Sequence, residues 1–196
     1  MATVFDDLLL KGVRSGQIPA RSQDARDWFR DKAKTTRGAT PEKIVRGNRE
    51  ALKNRPAIGR MYHFYYDPKG KQTLPYYDTF PLIFMVGPAK GGFYGINMHY
   101  LPLKLRASLM DSLYDITNNQ RFDESTKLKL SYKVLNSAGK FKEFKPTFKH
   151  YLKSHVRSRF IQIEPSEWDI ALFLPTERFE KMGKRSVHAA SRKLIT

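Results

Sequence analysis

The chain of 196 residues has no cysteine, which excludes disulfides, thiolate nucleophiles, cysteine-ligated zinc and iron–sulfur clusters. It is also short of acid, with 19 Asp and Glu against 36 Lys and Arg, a formal net charge of +17. That excess points to an anionic partner, nucleic acid first. No apolar run approaches the roughly 20 residues needed to cross a bilayer. The longest, around Phe80 to Val86, suits a buried strand instead. Behind Met1, Asp6 and Asp7 precede a short apolar patch, Leu8 to Leu10, and then Lys11. A signal peptide needs a basic start and a longer apolar stretch, so a cytosolic protein is expected. Catalytic signatures are scarce too. No two of His63, His99, His150, His155 and His188 stand four residues apart, the spacing that lets helical imidazoles share a metal. No glycine-rich loop ends in Lys-Ser or Lys-Thr to cradle phosphates. The expectation is no cofactor, metal, membrane or small-molecule substrate.

What is abundant is aromatic: 13 Phe, 10 Tyr and 2 Trp. Those rings supply the apolar surface a folded core needs despite a mean hydropathy of -0.57. The charge is unevenly spread. Residues 1–60 carry 14 basic and 7 acidic side chains, 61–116 carry 5 and 4, and 117–196 carry 17 and 8. A packed, nearly neutral centre with basic flanks follows. The expected division is a basic helical or extended arm over 1–57, one core over 58–180 and a basic tail over 181–196. The fold class expected is α+β: a small aromatic-rich antiparallel barrel or half-barrel with packed helices and a basic helical arm.

Local signals place the elements. Ser22 can cap a helix running through Trp28, Phe29 and Lys32. Thr40 and Pro41 start a second helix toward Leu52, favoured by Pro at its first position and by Glu42 in its first turn. Met61 to Tyr66 read as a strand that ends in Asp67-Pro68-Lys69-Gly70, a turn signal. Phe80 to Val86 and Phe93 to Tyr100 read as further strands. Pro102 opens a helix with Leu105, Leu109, Leu113 and Ile116 at helical spacing. Lys127 to Val134 alternate Lys127, Lys129 and Lys133 with Leu128, Leu130, Tyr132 and Val134, which predicts a strand with one basic face. Pro146 starts a predicted helix burying Phe148, Tyr151, Leu152 and Val156, with Lys145, Lys149, Lys153 and Arg157 in an outer row. Phe160 to Ile163 form a strand, and the tail from Lys181 is extended unless docked.

Catalytic readings are weaker than structural ones. Glu143-Phe144-Lys145 has the Glu-x-Lys of metal nucleases, but the nearest upstream acids are Asp123 and Glu124 and Pro146 abuts the motif. Asp111 and Asp115 fit a solvated helix edge. His99 fits a packed or hydrogen-bonded histidine, and Phe93 and Tyr94 fit core or interface rings better than base-stacking ones. The basic rows carry a more definite expectation. Lys127, Lys129, Lys133, Lys145, Lys149, Lys153, Arg157 and Arg159 would line a phosphate-binding surface, while Arg26, Arg30, Lys34 and Arg37 clamp from the arm. Such contacts are blind to sequence and sensitive to salt. An acidic protein surface is the competing partner.

Several stretches together carry a resemblance. They are Trp28-Phe29-Arg30, Tyr66-Asp67-Pro68-Lys69, the run Leu74 to Leu82, the run Gly95 to Pro102, His155-Val156-Arg157-Ser158 and the run Trp168 to Pro175. Over most of its length the chain resembles small virion proteins of T-even-type contractile-tailed bacteriophages, labelled DNA end protector proteins and sometimes baseplate hub proteins. The resemblance implies a non-enzymatic virion protein, assembled in the host cytoplasm. It would occupy a double-stranded DNA end near the portal and tail and block exonucleases sterically. Tail, neck or baseplate proteins would be its neighbours. The alternative it leaves open is a baseplate hub or tail assembly protein that meets acidic protein rather than DNA.

Overall fold

The computed structural model describes residues 3–17, 22–117, 119–138 and 140–194. Three helices come first, α1 (Val4–Arg14), α2 (Gln23–Thr35) and α3 (Pro41–Gly47). Each opens on a side-chain cap. Thr3 and Asp6 form a reciprocal box, Ser22 accepts from Ala25 N, and Thr40 accepts from Lys43 N with Pro41 following. Strands β1 (Leu52–Lys53), β2 (Met61–His63), β3 (Tyr77–Asp78), β4 (Leu82–Ala89) and β5 (Gly92–Asn97) follow. The remainder is α4 (Leu103–Thr117), α5 (Glu124–Ala138), β6 (Phe148–Leu152), β7 (Phe160–Ile163), α6 (Trp168–Phe173), β8 (Phe179–Glu180) and α7 (Lys184–Lys193).

Six strands form one antiparallel sheet in the order β1-β7-β2-β4-β5-β6, and β3 pairs with β8 apart from it. The class is α+β as expected. The barrel is not: β1 and β6 are edges and do not pair with each other, so the sheet is open. Register explains why both faces are buried. Ile163, Met61, Phe84, Ile96 and Phe148 stand in one row across the strands. This row joins the main core with Phe29, Leu113, Leu135 and Trp168 from the helices. On the other face Tyr62, Ile83, Phe93, Tyr151 and Phe160 pack with Phe64 and Tyr66 into a smaller cluster, rich in edge-to-face ring pairs. Gly95 makes that second layer possible. A Cβ there would stand 2.7 Å from Ile83 Cδ1 and 3.4 Å from Tyr151 Cε2. Without one, the Tyr151 ring passes over Gly95 and its hydroxyl meets Asn97 Nδ2 at 3.1 Å.

Three sequence expectations are corrected. Residues 127–134 lie in α5, not in a strand. Asp123 caps its start, accepting from Thr126 N, and Ser131, Leu135 and Ala138 form its buried stripe. Lys127 falls beside that stripe, whereas Lys129 and Lys133 share the outer face. The predicted helix after Pro146 is instead the short strand β6, which completes the sheet against β5, so its lysine row does not exist as a row. The basic arm is no free arm, because Phe5, Leu8, Phe29, Ala33 and Ile44 are buried in the main core. The tail, expected to be extended unless docked, is docked: Lys184–Lys193 form α7, whose Val187 is fully buried.

Candidate nucleic-acid interface

Arg26 and Arg30, expected on phosphates, point inward from α2 and are 2% and 5% exposed. Arg26 donates to Asp169 at 3.3 Å and to Asp111, while Arg30 donates to Asp169 and Asp111, each at 2.9 Å. Arg26 also lies over Tyr114 and Arg30 over Phe173. Burial opposes the charge on Arg30, but the carboxylates of Asp169 and Asp111 outweigh it and hold its pKa above the ordinary value. The pair is an internal staple joining α2 to α4 and α6. Lys34 is exposed, bridges Asp31 at 2.9 Å and reaches over Phe173. Arg37 is exposed in the segment before α3.

The remaining predicted cations separate into two groups. Lys129 and Lys133 stand exposed on the outer face of α5, and Asn136 on the same face lines a shallow hollow with Lys140, Lys145 and Phe148. These four lysines form a ridge that leads to β6 and carries no salt bridge among the described residues; Lys127, by contrast, bridges Glu124 at 3.0 Å. The second group surrounds the segment after Tyr66. Asp67 N donates to His155 O, Tyr66 pairs with Val156, and Arg157 reaches Asp67 at 3.4 Å. Lys153 is exposed beside them, and Arg159 is exposed further along. Sequence reasoning missed Lys140, which has no patterned neighbour.

Lys149 belongs to neither surface. Its neighbour across the sheet is Gly95, so it lies on the aromatic face, with Nζ 4.0 Å from the centre of the Tyr100 ring. It lines a cleft of ≈ 300 Å³ with Tyr66, Tyr76, Tyr77 and Tyr100, with Lys69 and His150 also on its lining. Burial pushes its pKa down to about 8, with Asp78 opposing. The doublet Tyr76-Tyr77 and the turn at Asp67-Pro68-Lys69-Gly70 were visible in the sequence, but not their meeting with Lys149.

Asp78 and Asn97 also line the cleft, and a buried polar network runs inward from them. Asp78 shares hydrogen bonds with His99 Nδ1 at 2.7 Å, Asn97 Nδ2 at 3.1 Å and Phe80 N at 3.1 Å, and His99 Nε2 meets Thr176 at 3.2 Å. Thr176, His99 and Asp78 are connected in the order of a hydrolase relay, yet Thr176 and His99 are fully buried and Asp78 nearly so. A hydroxyl without access to substrate serves as a tether, and His99 is the packed, hydrogen-bonded histidine the sequence suggested. Fully buried Arg106 donates to Leu101 O, Leu172 O, His99 O and Glu177. Burial raises the Glu177 carboxyl, but nearby His99, Arg106 and Lys184 outweigh it and hold it well below the usual range. Lys184 thereby ties α7 to the core. Among the described residues no three His, Asp or Glu side chains gather at a metal site, and no helix is long and apolar enough to cross a membrane.

Comparison with known proteins places these features in context. A family model described as Phage T4 terminal DNA protecting protein matches residues 5–195. Neither the curated proteins nor the solved structures contain a match.

Proposed function

The chain belongs to the phage T4 terminal DNA protecting protein family, and from that premise we propose that it binds the end of the packaged phage genome and shields it from exonucleases. Protection is by occupancy, without chemistry on the DNA. The observation that carries the reading is the ridge of Lys129, Lys133, Lys140 and Lys145, exposed and without salt bridges among the described residues, on a protein of net charge +17. Like charges at such spacing oppose one another unless an anion lies across them, and a phosphate backbone supplies one without regard to sequence. Lys153, Arg157, Arg159, Lys34 and Arg37 extend the contact. Arg26 and Arg30 are left out because the staple engages them. The family description speaks for a DNA end over the baseplate reading. A location in the virion beside the portal and tail fits that role, with neck or tail proteins as neighbours.

The test is binding to duplex DNA as a function of salt. Replacing Lys129, Lys133 and Lys145 with Ala is expected to weaken binding and to flatten log K against log salt by about 0.9 for each phosphate that is no longer neutralised. An unchanged slope removes the ridge from the interface.

A further inference from the structure

The cleft beside β6 has features that duplex backbone contacts do not require. Its volume of ≈ 300 Å³ is at the lower end for small-ligand sites, ~300–1,000 Å³, too small for a duplex and of a size for one nucleotide. Five tyrosines, Tyr66, Tyr76, Tyr77, Tyr100 and Tyr151, are on its lining, and aromatic rings are the surface on which bases stack irrespective of identity. Lys149 offers a cation there with no salt bridge among the described residues; Asp78 lines the same cleft, but His99, Asn97 and the Phe80 amide already engage its carboxylate. Near neutral pH Lys149 keeps its proton against the cost of burial, a cost that a phosphate beside it would offset. The cleft is also held in shape beforehand. Lys181, at a positive φ of 66°, donates to the carbonyls of Lys71, Gln72 and Leu74 at 2.6, 2.8 and 2.9 Å, and the Tyr66 hydroxyl accepts from Leu152 N at 3.1 Å. Preorganisation of this kind lowers the ordering cost of binding.

We propose that this cleft receives the terminal nucleotide of the DNA, with its base among the tyrosine rings and its phosphate on Lys149. The inference rests on the end-protection reading and deepens it: the lysine ridge holds any duplex, and the cleft tells an end from the middle. An internal nucleotide is held by chain on both sides and by its pair, so only a frayed terminus can enter a pocket of this size.

The experiment compares the full chain with Lys149→Met and, as a second variant that leaves the lysine in place, Tyr76→Leu. Each is titrated with a 5′-phosphorylated linear duplex and with a covalently closed circle of the same sequence, and circular dichroism checks the fold. The wild type is expected to favour the linear form, and both variants to lose that preference by roughly tenfold, the scale of one stacked nucleotide. Their affinity for the circle should stay within about twofold, since the ridge is intact. A wild type that prefers linear DNA, with folded variants that keep the preference, overturns the cleft and leaves end protection standing. A wild type that binds both forms equally overturns both.

Discussion

Truncating Asp169 to Ala separates structural arginines from DNA-binding ones. Asp169 is 5% exposed and receives both Arg26 and Arg30, whereas the side chain of their other acceptor, Asp111, is 48% exposed. Removing one partner of a buried ion pair costs about 3–5 kcal/mol, because the charge left behind has neither water nor a counterion. Asp111 continues to serve both guanidiniums, so the lower end, about 3 kcal/mol, is expected. At roughly 2–4 °C per kcal/mol for a chain of this size, Tm should fall by about 6–12 °C. Thermal melting followed by circular dichroism measures this, and a urea titration should show a lower midpoint at the same slope. Duplex binding, measured where the variant is fully folded, should keep the wild-type salt slope, since neither arginine is free for a phosphate. A Tm loss under about 2 °C, or a slope reduced by about one unit, would refute the staple.

Further expectations follow from the core and its titrating groups. Trp168 is buried edge-on to Phe84 at 4.9 Å and donates to Ile163 O at 3.0 Å, so Trp168→Ala should cost about 3–5 kcal/mol in a urea titration. His63 donates to Pro81 O, which leaves its fully buried Nε2 unpaired, and burial, aided by nearby His99, lowers its pKa to about 3. The unfolded chain takes up this proton near pH 6.5 while the folded protein refuses it until about pH 3, so stability is complete above 6.5 and falls as the pH drops. His63→Phe, which keeps a ring against Phe80, should flatten the stability profile between pH 6.5 and 4.5; an unchanged profile places the acid sensitivity elsewhere. Glu177, held below its ordinary value, adds a second loss as the pH falls through the unfolded carboxyl range near 4.5. In Glu177→Gln that last loss should be smaller.

Legibility in the sequence followed the locality of the cause. Ser22, Thr40-Pro41 and Pro102 act on the backbone within a few residues, and the helices they start are present, although the one from Pro41 stops at Gly47 and Leu52, which it was expected to approach, lies in β1. Phe80 to Val86 and Phe93 to Tyr100 announced β4 and β5 because β-branched and aromatic residues between turn signals leave few alternatives, although β5 ends at Asn97 and Met98–Tyr100 turn as a 3-10 helix. Residues 127–134 misled because a short lysine–leucine alternation is compatible with either period. Leu135 and Ala138, just beyond it, continue the helical stripe that decides the matter. Residues 148–156 misled in the opposite sense. Their apolar spacing fits a helix, but β5 offers an unpaired edge and β6 fills it. The site divides the same way. The exposed lysines were legible from charge alone. The burial of Arg26 and Arg30 was not, because their acceptors Asp111 and Asp169 lie 81 to 143 residues away. Nor was the cleft, which joins Tyr76 and Tyr100 to Lys149 across three separate segments.

The central claim is protection of DNA ends, and exonuclease digestion tests it most directly. Linear duplex is digested at physiological salt with and without the protein, and again with an excess of closed circular DNA as competitor. The duplex is expected to persist, and circles are expected not to strip the protection away. Digestion at the unprotected rate, or protection that circles titrate to nothing, would contradict it and leave only generic attraction between a basic surface and phosphate.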